Sequence, residues 1–132
     1  MKYFTPEEAD ALIPELEKIF AAVAGLAAQA ELKTAALRQR RTARDSDEAA
    51  EAIERSQLQF LASGINDWLQ KIVALGALPK GVAPALVDFP SRVGGEEAYL
   101  CWKLGEKRVA HYHPVNEGFS TRKPLPKRRG QT

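Results

Sequence analysis

The sequence predicts an α+β domain in which a long antiparallel helical hairpin, with a short first helix or a kink at Pro14, packs on a three-stranded antiparallel β-meander. Three observations carry this. Apolar residues recur at steps of three and four from Leu12 to Leu37, with Lys33 the one break, and again from Leu58 to Leu75; the period falls to two after Pro79; and Gly94-Gly95 and Gly105-Glu106 cut the second half into strand-length pieces.

The first helix starts at Thr5-Pro6-Glu7-Glu8. Thr5 is placed to accept from the exposed N–H groups, Pro6 suits the first helical position, and Glu8 completes a capping box. Pro14 lacks an N–H and disfavours helical geometry at Ile13, so a break near 13–14 is expected. Beyond it Leu12, Leu16, Ile19, Val23, Leu26, Ala30 and Leu37 form a heptad-like seam that ends in the cations Arg38, Arg40, Arg41 and Arg44, as a helix C-terminus favours. Asp45, Ser46, Asp47 and Glu48 place the turn near 44–47 and open a second helix over 47–76. That helix carries Leu58, Leu61, Ile65, Trp68, Ile72 and Leu75 and stops at Gly76. In an antiparallel hairpin Gly64 comes level with the Ala-rich run AAVAGLAAQA, where small residues permit close approach.

ALVDFPSRV, EEAYLCWKL and KRVAHYH then supply three strands within 85–113. Two-residue turns would pair Val93 with Glu96 and Leu104 with Lys107. On that register Val87, Phe89, Ala98, Leu100, Trp102, Leu104 and Val109 face the helices together with His111 and His113. Asp88, Arg92, Glu97, Tyr99, Cys101, Lys103, Arg108 and Tyr112 take the other face, with Arg92 opposite Glu97.

At 132 residues, 45% apolar and 27% charged, the chain suits one soluble domain of 1–121 with a flexible basic tail over 122–132. Arg122, Lys123, Lys127, Arg128 and Arg129 follow the last acid, Glu117. The body keeps 14 bases against 17 acids, a mildly acidic balance that argues against a DNA-binding face. No apolar run approaches a bilayer span and none reads as a signal peptide, so no membrane association is expected. A lone Cys101 fits a reducing cytoplasm.

FTPEEADALIPEL, LVDFP-SR, YLCWKLGE, the His after an aromatic at 113, and EGFSTRKPL together resemble the small bacterial domain-of-unknown-function family 2203, across residues 3–125. The family pattern often has Trp at the position of Tyr112 and is more acidic over Pro114-Val115-Asn116. The resemblance implies the fold outline and no particular activity.

No nucleotide-binding or paired-carboxylate motif occurs, so neither a cofactor nor catalytic residues are assigned. His111 and His113 alternate on one strand about 7 Å apart and, with Glu117, are the candidate metal ligands. The competing reading of the two histidines is structural, one hydrogen-bonded at the sheet–helix boundary and one solvated. Asp88, Arg92, Trp102, Arg122 and Lys123 are the candidate ligand or partner surface. Cys101, with no base in reach on this register, reads as a half-buried strand thiol.

Shape supplies the leading functional expectation. Helices of about 30 residues run about 45 Å, whereas strands of about seven residues cover about 23 Å. Ile13, Phe20, Ala27, Ile53 and Phe60 widen the apolar stripe beyond one helical partner. A non-enzymatic homodimer joined through the hairpins, serving a macromolecular partner, is therefore expected. The alternatives are a small-ligand or metal site at the sheet edge, and RNA association through the basic tail.

Overall fold

A computed structural model describes residues 2–43 and 47–126. Two helices, α1 (Pro6–Thr42) and α2 (Glu48–Ala74), form the hairpin and lie on an antiparallel sheet. Its strands are β1 (Leu78–Val82), β2 (Ala85–Val93), β3 (Glu96–Lys103), β4 (His111–Pro114) and β5 (Lys123–Pro124), paired in chain order, with a 3-10 turn at Phe119–Thr121.

The capping box at Thr5 forms as expected: the hydroxyl accepts from the Glu8 N–H, and the Glu8 carboxylate accepts from the Thr5 N–H at 2.9 Å. Pro14 does not break the helix. α1 runs through it unbroken, so the expected short first helix is corrected: burial of Ile13, Leu16, Ile19 and Phe20 on the sheet outweighs the one hydrogen bond that Pro14 forfeits. Asp47 caps α2 by accepting from the Ala50 N–H at 3.1 Å; the rest of the expected turn, Arg44 to Ser46, lies outside the described residues. The antiparallel register of the hairpin is as the small residues indicated. A Cβ on Gly64 would stand 3.3 Å from Leu26 Cδ1.

The core lies between the sheet and the near half of the hairpin. Val87, Phe89, Leu100 and Trp102 from the sheet meet Ile13, Leu16, Ile19, Phe20 and Val23 of α1 and Ile72 of α2. Phe20 and Trp102 pack with ring centroids 6.2 Å apart. The N-terminal segment is pinned to β2, where Phe4 N–H donates to Pro90 O at 2.8 Å and Ser91 Oγ donates to Phe4 O at 2.6 Å.

Five strands replace the expected three. β1 carries Pro79 and Gly81, and β5 carries Pro124; both are edge strands, where a missing N–H faces no ladder partner. β5 also corrects the domain boundary, because Lys123 pairs with Tyr112, so residues 122–126 belong to the fold. Lys127, Arg128 and Arg129 lie outside the described residues.

The β2–β3 register is the expected one, Val93 opposite Glu96 and Arg92 opposite Glu97. Arg92 stacks over the Tyr3 ring, whose hydroxyl donates to Glu97. The β3–β4 register is not. Cys101 pairs with His111 and Tyr99 with His113, one residue away from the expected ladder. The cause is the connection, which is longer than a two-residue turn. Glu106 folds back to accept from the Lys103 N–H at 2.7 Å, Trp102 Nε1 donates to Glu106 O at 2.9 Å, and Val109 donates to the Asp10 carboxylate of α1 at 2.7 Å. Because directly opposed residues share a face, the shift turns Tyr112 toward the helices and moves both histidines to the outer face. Leu104, expected in the core, is exposed in this connection.

Candidate functional site

The outer face of the sheet, away from the helices, carries an unusual group of buried polar side chains. Asp88 stands on β2 opposite Cys101 on β3, and His113 stands on β4 opposite Tyr99. Asp88 is 4% exposed, Cys101 1% and His113 2%. His113 Nε2 lies 3.0 Å from Asp88 Oδ2, its Nδ1 lies 2.9 Å from Pro114 O, and its ring packs against Tyr99 with centroids 5.6 Å apart. The ligand-capable atoms of Asp88, Cys101 and His113 all lie within 4.8 Å of one another, the one such group of three among the described residues.

This group forms the floor of a pocket of about 290 Å³. The chain after β4 makes its other wall through Val115, Glu117, Gly118 and Phe119, and Lys80 of β1 stands at the rim beside Leu86. The wall is held by Arg122, which donates to both oxygens of Glu106 at 3.1 and 2.8 Å and lies 4.4 Å from the centre of the Phe119 ring. His111 is beside this clasp, its Nδ1 3.9 Å from Glu106 Oε2.

Burial sets the electrostatics. Loss of hydration pushes the Asp88 carboxyl up, against the opposing pull of His113 and Lys80. Loss of hydration and then the Asp88 charge push the Cys101 thiol up to about 11, although Arg122 pulls the other way. For Glu106 burial acts upward too, but hydrogen bonds from Arg122 and the Lys103 N–H prevail and hold the carboxyl below its ordinary range.

A nucleophilic relay is not what this geometry builds. Such a relay needs one imidazole nitrogen on the carboxylate and the other on the nucleophile. Here Nε2 is on Asp88 and Nδ1 on a backbone carbonyl, which leaves neither for Cys101.

Of the residues singled out in the sequence, His113 and Asp88 meet at the centre and Glu117 lines the pocket. His111 belongs to the neighbouring Glu106–Arg122 clasp rather than to the cluster around His113. Arg122 and Lys123 are parts of the fold that close this region, Trp102 is fully buried on the helix side, and Arg92 sits at the far end of β2 over Tyr3. Cys101 and Glu106 join the site without standing among those candidates. The signal for Cys101 was available: only the shifted register places Asp88, Cys101, His111 and His113 together on one face and frees the apolar face of its two imidazoles.

A two-layer α+β domain with a buried carboxylate–imidazole–thiol group under a small pocket is the class that fold and site define. Residues 2–125 match the family described as "Uncharacterized conserved protein (DUF2203)", and the chain belongs to it. No curated protein and no solved structure matches the chain.

Proposed function

We propose that the chain is a small-ligand-binding module of the bacterial cytoplasm, with its site in the pocket over Asp88, Cys101 and His113. One observation carries the reading: an almost fully buried Asp–His pair lies on the sheet face that the helices leave uncovered. A purely structural outer face has little use for a buried carboxylate, because removing the charge from water costs several kcal/mol, on the order of the penalties known for buried ions, and even a paired partner repays this only in part. A pocket of about 290 Å³ sits at the small end of ligand sites, which span roughly 300–1,000 Å³. Lys80 and Glu117 offer opposite charges at its mouth, and Leu86, Tyr99, Val115 and Phe119 offer apolar walls. The free, buried Cys101 suits a reducing compartment, and among the described residues no helix is long and apolar enough to cross a membrane.

The test is ligand-observed and amide-detected NMR against a library of small polar metabolites. Binders are expected to perturb residues 99–101 and 113–119 and to weaken about tenfold in Lys80→Ala or Glu117→Ala, as loss of one charged contact of about 1.4 kcal/mol requires. Binding confined to the helices, or none across the library, overturns the reading.

Self-association through the hairpin is the second reading, favoured by a separate observation. Among the described residues, the half of the hairpin beyond the sheet buries Leu37 and Leu61 alone as apolar residues, while Leu32 is 73%, Ile53 59% and Phe60 78% exposed. Ile53, Phe60 and Leu61 line a groove of about 660 Å³ with Gln29 and Lys33. A second copy of the same hairpin would cover this stripe in a four-helix arrangement. Light scattering should then give a dimer mass that falls to the monomer in Phe60→Glu; a monomer at high concentration sinks it. RNA association through the basic residues of 122–129 is a third reading, in which Arg122 is engaged by Glu106, Lys123 stands in β5, and the remaining cations lie outside the described residues.

A further inference from the structure

We infer that Asp88, Cys101 and His113 are three protein ligands of a zinc ion whose fourth position opens into the pocket. The inference rests on the ligand-site reading and names the chemistry at its floor. His113 is held from both sides of its ring. Its Nδ1 faces a carbonyl, which only accepts, so a proton sits on Nδ1. Its Nε2 is thereby the nitrogen turned to a carboxylate oxygen, 3.0 Å away. Either a proton or a cation must lie between them. A ring N–H held by a backbone carbonyl, with the other nitrogen aimed at the ion, is the outer-shell arrangement of metal-bound histidine.

Cys101 favours the cation: its sulfur lies within 4.8 Å of both other donor atoms and is withdrawn from solvent, so a third soft donor is already gathered beside the pair. At zinc bond lengths of about 2.0–2.3 Å, tetrahedral geometry spaces ligand atoms about 3.3–3.8 Å apart, so shifts of about an ångström close the site. One nitrogen, one oxygen and one sulfur suit zinc rather than the oxygen-preferring calcium or magnesium. Three ligands with the fourth position free is the arrangement of sites where the metal meets a ligand, while structural zinc sites are closed. Binding forms Zn–N, Zn–O and Zn–S bonds, displaces metal-bound waters and sends the thiol proton to solvent.

The test uses the full chain purified without a polyhistidine tag. Elemental analysis is expected to find about one zinc per chain, retained on dialysis against a weak chelator. Cobalt(II) in its place should give a tetrahedral visible spectrum and a thiolate-to-cobalt charge-transfer band. Cys101→Ser should abolish that band, and His113→Ala should weaken zinc binding more than the 10–100-fold typical of an outer-shell partner. His111→Ala should retain the full equivalent. Circular dichroism establishes that each variant folds; if His113→Ala does not, the nearly isosteric Cys101→Ser carries the test. A wild-type chain that takes up neither metal, a cobalt complex without the sulfur band, or loss of metal with His111 but not with Cys101 overturns the inference. Metal-free chain that still binds small molecules at residues 99–101 and 113–119 would sink the zinc and leave the pocket reading standing, whereas zinc uptake without any small-molecule binder would do the reverse.

Discussion

His113 and Asp88 meet at 3.0 Å although they lie on strands that do not pair, with β3 running between them. Their side chains join over the backbone of β3 between Tyr99 and Cys101, so the contact exists only when both neighbouring registers are correct. With metal removed by chelator, His113→Ala leaves the Asp88 carboxylate buried and unpaired. The expected cost is about 3–5 kcal/mol, read from urea unfolding. Replacing both partners by leucine should cost less than His113→Ala alone, because no charge is then stranded; a double variant less stable than that single one contradicts this account of the pair.

Cys101 should be unreactive in the folded, metal-free chain. With its thiol pushed up to about 11 and its surface 1% exposed, the thiolate that attacks a disulfide reagent is scarce and shielded. Against an unperturbed thiol near 8.5, the pH 8 rate should fall more than about hundredfold and recover in guanidinium. A folded-state rate within tenfold of the unfolded one would show the thiol to be open.

The Glu106–Arg122 clasp has a defined pH dependence. The folded-state carboxyl is held below 4.5, so the folded chain binds that proton less readily than the unfolded chain. The stabilisation is present above the unfolded value and is lost as pH falls below about 4.5 through the folded value. Glu106→Gln should remove about 1.5–3 kcal/mol at pH 7, the range for hydrogen bonds to charged groups, and flatten the acid limb of stability against pH. An acid limb unchanged in Glu106→Gln would mean that other carboxylates set it.

How far the sequence reaches can be read from single residues. Thr5, Asp47, Gly64 and the Gly94-Gly95 turn act through local backbone chemistry, and each is where the pattern placed it. Pro14 misleads because a local penalty is outweighed by burial that the local pattern does not weigh. β1 and β5 are hidden because Pro79 and Pro124 read as strand breakers, a rule that lapses at sheet edges. The site was half legible: Asp88 and His113 are visible as candidates, but their meeting depends on a loop whose length is set at long range. Val109 is buried in the core from an irregular segment, so alternation counted onward from it assigns His111 and His113 to the wrong face.

That dependence gives the last prediction. Asp10 of α1 accepts from the Val109 N–H at 2.7 Å and approaches Arg108 at 3.9 Å, and this contact tethers the β3–β4 connection to the first helix. Asp10→Ala leaves the Val109 N–H without its acceptor, at an expected cost of about 1–3 kcal/mol. The effect should also reach the pocket on the opposite face, because a looser connection lets β4 slip, and a slip of one residue carries His113 away from Asp88. Hydrogen exchange should therefore rise at residues 109–113 in Asp10→Ala while β2 and α1 keep their protection. A uniform rise over the whole chain would assign Asp10 to general stability; protection unchanged at 111–113 would show that the ladder holds its register without the helix.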